Sequence, residues 1–165
     1  MRLRRLLRHL VLPDWWVRRV FSPRLRQRIE QAVAASESAH CGELRIVIEG
    51  GLPLSVLLRD EPARARAIEL FSQLRVWDTA ENSGVLIYLQ LLDRKVEIVA
   101  DRGVDAKLGQ DFWDGVCRAM EKAFRAGDYE GGTLFALTTI SEALRLHFPA
   151  SGDNPNELAD TPLLL

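Results

Sequence analysis

The sequence predicts an α/β fold, an α/β/α sandwich around a small mixed β-sheet, and three observations carry that reading. Val85-Leu86-Ile87-Tyr88-Leu89 is an uninterrupted apolar run, so it reads as a strand covered on both faces. After Asp93-Arg94, the residues Val96, Ile98 and Ala100 alternate with Lys95 and Glu97, which predicts a strand folded back antiparallel on the first. Upstream, Leu44, Ile46 and Ile48 alternate with Arg45 and Val47 over 43–49. A helical stretch of about 15 residues separates them from the buried run, which predicts a β-α-β unit with parallel, adjacent strands.

The chain opens with a strong charge bias. Residues 1–28 hold nine Arg and one acid, Asp14, while the remainder is acidic, so a basic arm sits on an acidic body. Leu3, Leu6, Leu7 and Leu10 fall at helical spacing, with Arg2, Arg5 and Arg8 mostly elsewhere around the wheel, and Pro13 ends the element. Trp15, Trp16, Val17, Val20 and Phe21 follow as a dense apolar cluster with Arg18 and Arg19 among them. Arginines run through the would-be hydrophobic segment and no small-residue cleavage site follows, which argues against a signal peptide. Two readings stand. Residues 1–21 are an anchor for an anionic membrane surface or a membrane-associated protein, with aromatics at headgroup depth, or they lie across the domain with the tryptophans in its core. The aromatics belong to no recognisable nucleic-acid-binding module.

Ser22-Pro23 is a helix opening, Ser as N-cap and Pro at the first position, for a helix near 23–39 with Leu25, Ile29, Ala32, Val33 and Ser36 on one stripe. His40-Cys41-Gly42 closes it, and with no partner at metal-ligand spacing nearby it reads as a structural junction. Gly50-Gly51 and Pro53 turn the chain. Asp60-Glu61-Pro62 starts the crossover helix, whose Ala63, Ala67, Leu70, Phe71 and Leu74 share a face, and Trp77 is expected to plug the end of the core. Beyond the hairpin, 104–109 is too short for a long element. A helix from Asp111 turns Phe112, Trp113, Val116, Cys117, Met120 and Phe124 inward, and a last helix spans 129–147.

The domain organisation expected is therefore a basic Trp-containing arm at 1–21, a single α/β domain at 22–148 and a flexible tail at 149–165, unless Leu163-Leu164-Leu165 dock. Cys41 and Cys117 are two isolated cysteines at a strand lead-in and on a core face, which fits a reduced, cytoplasmic protein. No apolar run reaches the roughly 18 residues of a membrane span.

Chemistry announces itself at one edge. The predicted register brings Asp78, Glu81, Asn82 and Ser83 beside Glu43 and beside Asp101, Arg102, Gly103 and Asp105. Oxygen donors from several loops suit calcium or magnesium, and Asp78, Asn82, Asp101 and Asp105 are the candidate metal ligands. The alternatives are a solvated acidic rim or a cluster neutralised by Arg102. No phosphate-binding Walker loop, nucleophile elbow or His-centred constellation is present, which leaves only carboxylate and metal-bound-water chemistry for an enzyme.

Val76-Trp77-Asp78-Thr79-x-x-Asn82-x-Gly84-Val85-Leu86-Ile87-Tyr88, with Asp93-Arg94-Lys95-Val96-Glu97-Ile98 and Asp101-Arg102-Gly103, resembles the TPM domain family of thylakoid-lumen and photosystem-repair proteins. The resemblance runs over roughly 40–148, taking in His40-x-Gly42-Glu43, Phe112-Trp113 and Phe124-x-x-Gly127-x-Tyr129-x-x-Gly132. It implies a TPM-domain-like α/β/α fold. It also implies one of several roles: a plant relative is described as an acid phosphatase acting on phosphate monoesters, some members bind divalent cations, and others are accessory proteins of membrane complexes. The family's acidic loop maps onto Asp78, Asn82, Asp101 and Asp105. Ala100-Asp101-Arg102-Gly103 stands where many relatives have a Gly-x-Gly turn, and the export signal and C-terminal transmembrane helix of many relatives are not expected here. The chain is similar to a shorter bacterial subgroup with an Arg-rich front end. Its expected function is thus a binding or accessory module, cytoplasmic and peripheral to the inner membrane face, with a divalent-metal-assisted acid phosphatase as the alternative.

Overall fold

The computed structural model describes residues 3–11, 14–150 and 154–165. Two short helices, α1 (Leu3–Val11) and α2 (Asp14–Val20), lead into α3 (Pro23–Glu37). The stop expected at Pro13 lies outside the described residues. Ser22 caps α3 as its sequence suggests, its hydroxyl accepting from the Leu25 N–H at 3.3 Å. Then come β1 (Glu43–Glu49), the short α4 (Leu54–Leu58), α5 (Ala63–Gln73), β2 (Gly84–Gln90) and β3 (Lys95–Ala100). The chain continues through α6 (Arg102–Leu108), α7 (Gln110–Arg125) and α8 (Tyr129–His147) to a two-residue strand, β4 (Leu163–Leu164).

The sheet order is β3-β2-β1-β4. β1 and β2 are parallel, with Glu43 opposite Gly84, and β2 and β3 are antiparallel, with Val85 opposite Ala100. Every residue of β2 is buried, as an unbroken apolar run demands of a strand with neighbours on both edges and cover on both faces. The terminal leucines dock. Leu163 and Leu164 pair in parallel with Val47 and Ile48, and the Leu165 N–H donates to Ile48 O at 2.9 Å.

Alternation along the strands sorts the core into two layers. Leu44, Ile46, Ile48, Val85, Ile87, Leu89, Val96 and Ile98 face α3, α7 and α8, meeting Ile29, Trp113, Met120 and Ile140. Val47, Leu86, Tyr88 and Val99 face α5 on the other side, with Leu158 and Leu163 of the tail alongside. This is the α/β/α arrangement. Cys117 packs at the rim of the larger core, and burial pushes its thiol up to about 12, so it behaves as a small hydrophobe. Trp77 departs from expectation. It is 50% exposed, because Val76, fully buried, closes the core at that end in its place.

Candidate functional site

Two ends of the sheet carry polar groups in unusual positions. At the end where β1 and β2 begin, the chain enters β2 through residues in the left-handed region, Arg75 and Asn82. Asn82 belongs to a compact turn in which its N–H donates to Thr79 O and the Ser83 N–H to Thr79 Oγ1. Across from it, the Asp101 N–H donates to Gly84 O at 2.8 Å, which seats the start of α6 beside that turn. Gly103 has no room for a side chain. A Cβ there would lie 2.6 Å from Asn82 O and 3.4 Å from Glu81 O. The loop at 78–83 and the turn at 101–105 therefore touch backbone to backbone, as the hairpin register implied.

The four candidate ligands have separate duties at this edge. Asp101 caps α6, its Oδ1 accepting from the Arg102 N–H at 2.6 Å, while its Oδ2 is buried without a hydrogen-bond partner. Asp105 stands one turn on, and its Oδ1 accepts from the indole N–H of the buried Trp113 at 3.2 Å. Asn82 contributes its backbone contact to Gly103, and Asp78 is exposed on the loop, its N–H turned back to Arg75 O. Arg102 is exposed rather than folded over the acids. Among the described residues, no group of three or more His, Cys, Asp or Glu is placed to hold a metal ion. What the edge offers is one buried, unpartnered carboxylate oxygen, on a turn whose Gly103 packs against two backbone carbonyls. Those are donors for a hard cation that keeps water in its shell, not for a transition metal.

Glu43 belongs elsewhere. It is 1% exposed and its Oε2 accepts from the Glu157 and Leu158 N–H groups at 3.2 and 2.9 Å, so it holds the tail rather than joining the acidic edge. Beside it, Glu37, Asp160, Asn154 and Asn156 line a cavity of about 240 Å³. Glu37 Oε1 accepts from the Leu44 N–H at 2.9 Å while Oε2 is buried without a partner, and burial, with Glu43 and Asp160 adding repulsion, pushes its carboxyl up to about 8.

At the opposite end, where β1 and β2 finish, the arm docks in an inverted way. The charged side of α1 faces the protein. Arg5 Nε donates to Asp93 Oδ2 at 2.8 Å and its Nη1 to Asp60 Oδ1 at 2.8 Å, and Arg8 Nη1 donates to Leu92 O at 2.9 Å. His9 is 6% exposed, its Nδ1 accepting from the Leu52 N–H at 3.1 Å, which leaves Nε2 to donate to Asp93 Oδ1 at 3.1 Å. Burial works against the Asp93 charge, but the bonds from His9 and Arg5 outweigh it and hold the carboxyl below its usual range. Leu6 packs against Leu52, Val56 and Leu57, while the rest of the arm's apolar side faces out: Leu7, Leu10, Val11 and Trp15 are all more than half exposed. α2 then turns Val17 inward, and Phe21 is fully buried. The arm thus packs through Arg5, Leu6, His9, Val17 and Phe21 and leaves an apolar face uncovered, but its tryptophans are not in the core as expected: Trp15 is exposed and Trp16 only partly buried. The signal for this docking was Asp93, a lone acid at a hairpin turn in a chain with nine arginines near its start.

A family model for the TPM domain matches residues 17–143. The chain belongs to the TPM domain family. Among solved structures, this TPM domain is similar to the NMR structure of BA42 protein from the psychrophilic bacterium Bizionia argentinensis. The TM-score is 0.74 and the identity 26%, over 87% of this chain and 94% of that one. It shares its fold with the N-terminal domain of a protein from P. gingivalis, at TM-score 0.63 and 21% identity, over 79% of this chain and 82% of that one. No curated protein sequence matches it significantly. Among the described residues, no helix of this TPM domain is long and apolar enough to cross a membrane.

Proposed function

We propose that this TPM domain is an accessory module that docks on an anionic membrane surface through its first two helices. The observation that carries the reading is the orientation of α1: Arg5 and His9 turn inward to Asp93 and Asp60 and Leu6 packs on the body, while Leu7, Leu10 and Val11 face solvent. A helix that only needed to pack on the domain would bury Leu7, Leu10 and Val11 and expose Arg5 and His9. Contiguous apolar side chains with an exposed Trp beside exposed Arg18 and Arg19 suit the interfacial region of a bilayer, where acyl chains take the apolar face and anionic headgroups the guanidiniums. The test is flotation of the full chain with vesicles containing phosphatidylserine. Because Val17 and Phe21 are core residues, the variant is Leu7→Ser/Val11→Ser/Trp15→Ser rather than a deletion. Loss of flotation in that variant is expected; undiminished flotation, or none by the parent protein at low salt, sinks the reading.

A second reading rests on Asp101. Its buried, unpartnered Oδ2, on the turn that packs against the carbonyls of Glu81 and Asn82, supports a weak calcium or magnesium site at 78–83 and 101–105, with Asp101 as the direct ligand and Asp78, Asn82 and Asp105 acting through water. Asp101→Asn keeps an oxygen to cap α6 and removes the charge, so it separates binding from folding. Amide shifts confined to those two segments on adding millimolar calcium, and abolished in Asp101→Asn, are expected; scattered surface shifts alone count against the site. The catalytic alternative, a divalent-metal-assisted acid phosphatase acting on phosphate monoesters, further requires turnover that a chelator and Asp101→Asn both remove.

A further inference from the structure

Between the arm and the hairpin turn lies a cleft of about 490 Å³, lined by Arg8, Trp16, Leu91, Leu92, Arg94 and Tyr129. Its size is that of a small-molecule site. It opens just beyond Gln90, the last residue of β2, at the carboxyl ends of the parallel pair β1 and β2, the side on which open α/β sheets bind ligands.

The charges in it are arranged for an anion. Among the described residues, no acidic one lines it. Arg8 is fixed by the bond from Nη1 to Leu92 O, which leaves its remaining N–H groups available. Arg94 is exposed and enters no ion pair among the described residues, and its backbone sits at φ +54°, so the turn holds a cation in a conformation that a β-carbon resists. Its acidic neighbour in sequence, Asp93, is already taken by Arg5 and His9. Leu91, Leu92 and Trp16 give the same cleft an apolar wall, and Tyr129 is braced by Phe21 and Phe124, whose ring centroids lie 6.0 and 5.0 Å away. Two guanidiniums beside an apolar and aromatic wall match a phosphate carried on an amphiphile.

We propose that this cleft binds the phosphate group of an anionic phospholipid, between Arg8 and Arg94, with Trp16 and Leu92 against the glycerol and upper acyl region. The proposal rests on the membrane reading and adds to it a preference for an exposed phosphate over surface charge in general.

The test compares full-length protein on phosphatidylcholine vesicles doped with phosphatidic acid or with phosphatidylserine at matched surface charge, with glycerol 3-phosphate as the soluble arm. Arg94→Asn removes the cation while suiting the left-handed backbone, and Arg145→Gln, on α8, is the charge-matched control. Tighter binding to phosphatidic acid is expected. That preference should fall about tenfold in Arg94→Asn, the scale of lost charge-assisted hydrogen bonds, and persist in Arg145→Gln. Equal binding to both vesicles, or equal losses in the two variants, overturns the cleft while leaving the membrane reading intact. Amide shifts at Arg8, Trp16 and Arg94 with glycerol 3-phosphate, without vesicle binding, assign the cleft to a soluble phosphate ester and overturn the lipid. Absence of vesicle binding by the parent protein under every composition overturns both.

Discussion

The hydroxyl of Tyr88, in the middle of β2, donates to Glu49 Oε2 at 2.5 Å, inside a core where both residues are at most 1% exposed. Glu49 is held on its other side by Arg66 of α5, whose Nη2 donates to Oε1 at 2.7 Å and whose Nε donates to Oε2 at 3.3 Å. Arg66 also reaches Glu69, so a carboxylate buried at the end of β1 is neutralised by the crossover helix that follows it. Burial, above all, raises the Tyr88 hydroxyl well beyond the usual range, with Glu49 adding to it, and the group stays a donor at every physiological pH.

Removing either partner leaves Glu49 short of donors. Tyr88→Phe should cost about 2 kcal/mol, the scale of a hydrogen bond to a charged group. Arg66→Ala should cost more, about 3–5 kcal/mol, because an unpaired charge is left in the core. Paired replacement of Glu49 and Arg66 by leucines should recover most of that loss. Urea denaturation of the three proteins checks the order, and an Arg66→Ala protein as stable as the parent would contradict it.

Glu37 makes stability fall toward alkaline pH. Its carboxyl titrates near 4.5 in the unfolded chain and near 8 in the folded protein. The folded form thus holds the proton more tightly, and its contribution is complete below pH 4.5 and is lost as pH rises toward 8. Glu37→Gln removes the ionisation but keeps an oxygen for the Leu44 N–H. The difference in unfolding free energy between the two proteins should move in favour of the variant across that window, by an amount on the order of a few kcal/mol. Thermal melts at pH 5 to 9 give the curve (roughly the window of the linkage), and a difference independent of pH would show that Glu37 is ionised throughout.

Asp93 has the opposite sign. Its carboxyl lies below the ordinary aspartate value of 3.8, so the stability it lends the arm is present above that value and is lost as pH falls further. Asp93→Asn weakens the grip on both Arg5 and His9. The Leu52 amide, whose proton goes to His9 Nδ1, should exchange faster with solvent in that variant while Ile87 in β2 is unaffected. Unchanged Leu52 protection would mean that Val17 and Phe21 hold the arm unaided.

Gly84 opens β2 directly under Val76. A Cβ there would fall 1.8 Å from Val76 O, a backbone atom that cannot rotate away. Gly84→Ala should therefore cost at the upper end of the roughly 1–3 kcal/mol of overpacked cores, and should shift the 78–83 turn as well. Equilibrium unfolding with amide shifts of Asn82 and Ser83 tests both effects together; a silent substitution would place β2 differently.

The strands were legible because each obeys a short-range rule. Val85–Leu89 has no polar interruption, and Leu44, Ile46 and Ile48 alternate, so burial on two faces or one could be read residue by residue. Asn82 and the 101–105 turn were brought together by register alone. The rest depends on distant segments. Glu43 looked like part of the acidic edge, and only the fold of the tail shows that Glu157 and Leu158 claim it across 114 and 115 residues. The outward apolar face of α1 was equally hidden, since helical periodicity gives the stripe without saying which side meets the body. Trp77 was misplaced for the same reason: Val76 beside it fills the core end, and a sequence of two adjacent apolar residues does not say which one turns in.

The tail is fastened at several points, and they predict how it would come loose. Glu43 accepts the Glu157 and Leu158 N–H groups, the Glu157 carboxylate accepts from the Ala80 N–H at 3.1 and 3.2 Å, and Arg45 Nη1 donates to the carbonyls of Ala159 and Thr161 at 2.5 and 2.7 Å. Beyond these contacts β4 adds only two residues to the sheet, too few to persist alone. Glu43→Ala should therefore release the strand without unfolding the domain. The Leu165 and Gly50 amides, which bond to Ile48 O and Leu165 O, should lose hydrogen-exchange protection together, while those of β2 and β3 keep theirs. Uniform loss across the sheet would instead make the tail part of the cooperative core. Full retention at Leu165 would show that Arg45 and Glu157, with the bonds of Asn154 to Glu37 O and His40 O and of Thr161 to Glu30, hold the tail without Glu43.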